Sequence, residues 1–108
     1  MTNETQPVVV TAIFTPLEGR KNDLSAALVA SIPAVHDEEG CILYAIHDSE
    51  DGTITMLEKW SSRDALAAHA AAAPVAALNA AIEGLVAGPA VVTLMDPIPA
   101  GTDAQGLL

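Results

Sequence analysis

Apolar residues along this chain change their spacing from one segment to the next, and the changes mark out its elements. From Val8 to Thr15 both alternating faces are β-branched or apolar, which predicts a buried strand. Pro16-Leu17-Glu18-Gly19 reads as a turn. From about Arg20, Leu24, Leu28, Ile32 and Val35 recur as one stripe of a helix. Pro33 removes the hydrogen bond to the Val29 carbonyl, so a bend is expected there. Gly40 suits the left-handed position that ends the helix. Cys41 to His47 alternates as a strand, Asp48 to Gly52 makes a hairpin turn, and Thr53 to Trp60 returns. Ser61, with Asp64 after it, reads as a capping box that opens a second helix. Pro74 interrupts this helix after Ala73. Val75, Leu78, Ile82 and Leu85 then give an amphipathic run to about Val86. Gly88-Pro89 turns the chain into a last strand, Ala90 to Met95. The order strand-helix-strand-strand-helix-strand is the split βαβ of an α+β, ferredoxin-like domain, an antiparallel sheet with two helices on one face. Residues 1–6 read as a disordered N-terminus, 7–97 as the domain, and 98–108 as a tail that is either free or laid across a partner.

The strands are apolar on both faces, and this asks for a partner. Val8, Val10, Ala12 and Phe14 oppose Val9, Thr11 and Ile13; Cys41, Leu43 and Ala45 oppose Ile42, Tyr44 and Ile46. Ile54 and Met56 oppose Leu57, and Val91, Thr93 and Met95 oppose Val92 and Leu94. A sheet with one wet face alternates apolar with polar. Two helices cover one face, so the simplest cover for the other is a second copy of the same sheet about a two-fold axis. A homodimer is expected.

Composition narrows the functional classes. The 108 residues suit one domain with a single modest core, and 51% apolar against 17% charged residues makes it globular. Fourteen acidic residues against 4 basic ones give a net charge of −10, which repels phosphate backbones and anionic lipid, so neither nucleic acid nor a membrane surface is an expected partner. The single Cys41 rules out an internal disulfide and a thiolate cluster, as suits a reducing cytoplasm. Met1 to Gln6 has neither the basic nor the apolar part of a signal peptide, and no segment reads as a membrane span.

Few residues invite chemistry. Glu58 shares a strand face with Ile54, Met56 and Trp60, where a carboxylate is costly unless paired. It reads either as a structural ion pair or as a pocket carboxylate with a raised pKa. His69 follows Leu66 on one helix face and points toward the sheet, as a core histidine or a functional one. Trp60 and Tyr44 are scarce aromatics, either core or a platform for a planar ligand. His47 falls near the surface or the dimer edge, His36 near a helix C-terminus in solvent, and Asp37-Glu38-Glu39 on a solvated face. Cys41 reads as a small packing residue. No phosphate-cradling glycine loop, GxSxG elbow or HExxH set is present, so no flavin, nicotinamide or metal is expected.

Glu38-Glu39-Gly40-Cys41-Ile42-Leu43-Tyr44, then Glu58-Lys59-Trp60, then Leu66-Ala67-Ala68-His69 come in a fixed order at junctions between polar helix ends and apolar strands. In this the chain resembles the antibiotic biosynthesis monooxygenase (quinol monooxygenase) family of small dimeric α/β-barrel proteins, over roughly Val8 to Pro97. The resemblance implies a pocket between helices and sheet, and a cofactor-independent monooxygenase that oxidises a small aromatic quinol or polyphenol with molecular oxygen. It implies His69 as base, Glu58 as its orienting or proton-storing partner, and Trp60, Tyr44 and Met56 shaping the substrate pocket. A haem-degrading branch of the same fold uses an Asn, a Trp and a His where this chain has Ala12, His69 and Asn79. A non-catalytic small-molecule binding protein and an isomerase-like enzyme are the alternatives on the same barrel.

Overall fold

β-Branched and apolar runs become the strands here, and the apolar stripes at helical spacing become the layer that covers them. The computed structural model describes residues 6–108, so the predicted disorder of residues 1–5 lies outside the described residues. Along the chain come β1 (Val8–Phe14), α1 (Lys21–His36), β2 (Cys41–Asp48), β3 (Ile54–Trp60), α2 (Arg63–Ala70), α3 (Ala73–Ile82), β4 (Val91–Met95) and a one-turn α4 (Asp103–Gly106). The sheet has the order β2-β3-β1-β4 with every pairing antiparallel, which is the ferredoxin-like arrangement. Among the described residues no single helix is long and apolar enough to cross a membrane.

Cross-strand register fixes which side chains share a face. Val8, Val10, Ala12 and Phe14 stand opposite Trp60, Glu58, Met56 and Ile54, and all eight are buried beneath the helices. Leu24, Leu28 and Val35 of α1 and Leu78 and Ile82 of α3 complete this core. α1 runs unbroken through Pro33 and packs against α3 and β2. The predicted second helix is two: the axis turns by 52° between α2 and α3, and Pro74 sits in the first turn of α3, where its missing N–H costs nothing.

Two local expectations need correction. The cap of α2 is Ser62, whose side chain accepts from Ala65 N, and not Ser61; Ser61 instead donates its backbone N–H to the Gly40 carbonyl at 2.8 Å. A bulge between Cys41 and Leu43 puts Cys41 opposite Trp60 on the helix side, so Cys41 does not share a face with Leu43 and Ala45. The extra residue, Ile42, is left more than half exposed. The tail carries the single turn of α4. Ala100 N donates to Gly106 O at 3.3 Å across α4, and a Cβ on Gly106 would overlap the Ala100 carbonyl.

Among the described residues, nothing covers most of the other face of the sheet. Ile13, Val91 and Met95 are 36%, 63% and 37% exposed there. At one end the tail lies alongside, and Leu107 and Leu108 share a cleft of about 350 Å³ with Val9, Leu57 and Met95.

Candidate active site

Trp60 ends β3 and Glu58 precedes it on the same face, so both side chains point into the helix layer. Tyr44 stands directly opposite Glu58 on β2. From above, α2 lowers His69 onto the pair. The Trp60 and His69 rings lie 4.4 Å apart and tilted by 31°; Tyr44 meets His69 edge-on at 5.5 Å and Trp60 at 6.4 Å. All four are buried, with Trp60 fully so, and Glu58 and His69 are the buried polar residues of the described chain.

The hydrogen bonds differ from the expected pairing. Glu58 Oε1 accepts from the Trp60 indole N–H at 2.9 Å and makes no bond to His69. His69 Nδ1 lies 3.0 Å from Oε1 of Glu38, a residue read from the sequence as part of a solvated acidic run. A carboxylate only accepts, so the Nδ1 proton is the one shared, and in the neutral ring Nε2 then keeps its lone pair. Nε2 makes no hydrogen bond among the described residues and is not sealed from solvent. Glu38 Oε2, in contrast, is sealed and meets no donor among the described residues.

The approach of Glu38 to His69 has a local cause. Gly40 adopts φ +84°, and a Cβ there would come within 2.5 Å of Ala65 Cβ and 2.7 Å of Ser61 Oγ. Only glycine lets the turn between α1 and β2 lie this close to α2. Ala65 and His69 are four residues apart on one helix face, so the face that receives Gly40 also presents the imidazole to Glu38. Val35 O and Cys41 N hold the Glu38 backbone on either side, at 3.0 and 3.3 Å.

Burial pushes the Glu58 carboxyl up; the Trp60 N–H and the His69 ring oppose that and Glu38 adds to it. Burial likewise raises Tyr44 well above the usual phenol range, with Glu58 and Glu38 adding to it, and raises Cys41 for the same reasons. The site therefore combines an imidazole nitrogen without a hydrogen-bond partner among the described residues with a carboxyl whose charged form burial disfavours.

Of the predicted site residues, Tyr44, Glu58, Trp60 and His69 come together. Met56 is fully buried on the same face, one step along β3 from Glu58. The four are packed on one another and do not line an open cleft. Clefts of about 270 Å³ (beside Lys21, His47 and Ile54) and 440 Å³ (beside Phe14, Asn79 and Val92) open at the opposite end of the sheet. His47 pairs with Thr55 on the uncovered face, away from the cluster. His36 is not merely solvated, for its Nε2 lies 3.0 Å from the Tyr44 carbonyl and ties α1 to β2. Among the described residues, no three His, Cys, Asp or Glu side chains converge as metal ligands.

Comparison with known proteins places the chain in a family. A family model described as antibiotic biosynthesis monooxygenase matches residues 7–81. "Putative monooxygenase Rv0793" of Mycobacterium tuberculosis is 33% identical over 95 residues, 87% of this chain and 94% of that protein. The structure of Rv0793 superposes with a TM-score of 0.81 at 31% identity, covering 90% of this chain and 100% of that one. Protein SO0527 from Shewanella oneidensis gives a TM-score of 0.76 at 30% identity, over 84% and 90% of the two chains. PA3566 from Pseudomonas aeruginosa, at 20% identity and a TM-score of 0.79 over 90% and 99%, shares the fold. With the model spanning most of the chain and Rv0793 matched nearly end to end, this chain belongs to the antibiotic biosynthesis monooxygenase family.

Proposed function

We propose that the protein is a cofactor-independent monooxygenase that oxidises a small aromatic quinol or polyphenol with molecular oxygen, working as a homodimer. The observation that carries this reading is the buried His69 imidazole, with a free Nε2 beside two aromatic rings, in a member of this family. Nε2 takes a hydroxyl proton from the substrate. The resulting electron-rich anion reduces oxygen itself; one oxygen atom enters the ring and the other leaves as water, both electrons for that water coming from the substrate. Hydroquinone would leave as hydroxyquinone. The protein supplies orientation, a base and a site largely without water. Trp60, Tyr44 and Met56 make the surroundings of the base apolar, and Glu58, whose charge burial disfavours, stores or returns a proton. The dimer reading rests on the uncovered apolar sheet face, where burying several hundred Å² contributes many kcal/mol at about 25 cal/mol per Å² before association costs.

The test is turnover of hydroquinones and anthrone-like phenols under labelled oxygen gas. One labelled atom in the product and one in water is the expected result. Quinol binding at equilibrium with no label incorporated would instead make this a binding protein.

A further inference from the structure

We infer that Glu38 is the positioning residue of the site: it fixes the His69 ring as the Nδ1–H tautomer and so turns Nε2 into the base. The inference deepens the proposed function, since its catalytic part rests on His69 acting as base. The contact at 3.0 Å joins residues 31 apart in sequence, and both partners are largely enclosed, at 8% and 14% side-chain exposure. Which nitrogen of a neutral imidazole holds the proton is decided by the hydrogen bond the other ring atom makes. Here the only such bond among the described residues is to Glu38. Glu58 does not fill this role here: its bonded oxygen accepts from the Trp60 indole, and the His69 bond goes to Glu38.

Two further features fit positioning better than an ordinary ion pair. The Glu38 backbone is pinned on both sides, and Gly40 holds the turn against the α2 face that carries His69. Glu38 also leaves its second oxygen sealed and without a donor among the described residues. A nucleophile or base oriented by a third group is the recurring logic of such sites.

The experiment is nitrogen-15 NMR of the imidazoles in the intact protein, above the titration range of imidazole, with His36→Gln and His47→Gln variants for assignment. The wild type should show His69 protonated at Nδ1 and bare at Nε2. Glu38→Leu removes the acceptor and should move the proton to Nε2. Glu38→Gln keeps the shape and a weaker acceptor, and should give a mixture of tautomers even if the Leu variant fails to fold. With a quinol substrate, both variants should lower kcat by roughly 10- to 100-fold with KM little changed, the scale on which an orienting partner of histidine acts. A wild-type His69 protonated at Nε2, or an Nδ1–H form unchanged in every folded variant, would overturn the inference; a purely structural Glu38 predicts the second. Should the tautomer move as expected while the wild type takes up no oxygen, the positioning role stands and the monooxygenase reading fails.

Discussion

Burial disfavours the charged form of Glu58 more than the Trp60 N–H and the His69 ring favour it, and this has a measurable sign. A carboxyl raised in the folded state contributes stability that is present below its unfolded pKa and is lost as pH rises through the folded value. Glu58→Gln keeps an acceptor for the indole and has no charge to bury. The variant should therefore melt at a higher temperature than wild type at neutral pH, and the gap should close as pH falls toward the ordinary carboxylate range. Thermal melts at several pH values check this; a variant less stable at neutral pH would mean that the Glu58 charge is favourable where it sits. His69→Leu tests the neighbouring position. It keeps the apolar packing against Trp60 but strands the Glu38 carboxylate, a buried charge without its donor, and should cost on the order of 1–3 kcal/mol in chemical denaturation.

At the scale of elements, the turn between α1 and β2 is tightly constrained. Gly40→Ala combines a left-handed backbone with a Cβ that meets Ala65 and Ser61, so a loss of about 2 kcal/mol or more is expected in a denaturant midpoint. Gly52→Ala shares the positive φ but meets nothing within 4 Å, and should cost less. The same joint marks where sequence reading reached its end. Alternation in β1 and β3, the Leu24-Leu28-Ile32-Val35 stripe and the break before Pro74 all follow from local spacing, and these elements formed nearly as expected. The one-residue bulge at Ile42 did not show, because alternation continues by eye through it and only the pairing with β3 reveals the slip. Ser61 was the expected cap, but its own backbone N–H is committed to the Gly40 carbonyl, and the cap falls to Ser62. For the site, Glu58, Trp60, Tyr44 and His69 were legible as polar or aromatic residues on apolar faces. Glu38 was not, since an acidic run in a turn reads as solvated until tertiary packing brings α2 over it. A turn glycine next to that run, needed for close approach, was the available signal.

Across the whole molecule, the helices cover one sheet face over β1, β2 and β3 but leave Val92 and Leu94 of β4 open there, and the other face keeps Ile13, Val91 and Met95 open. A mass near twice the 11.0 kDa chain is expected in sedimentation at micromolar concentration. Leu57→Asp, on that face, should dissociate or unfold the protein by placing a charge in the proposed interface. A wild type that sediments as a stable monomer would remove the dimer. The functional claim is tested most directly by oxygen uptake of the purified protein with a hydroquinone panel, in the presence of a chelator, for wild type beside His69→Ala. The account predicts uptake of one oxygen molecule per quinol that survives the chelator, and a fall in rate on the order of 100-fold or more in the variant. Equal rates in the two proteins, or no uptake by a wild type that binds quinol, would contradict it.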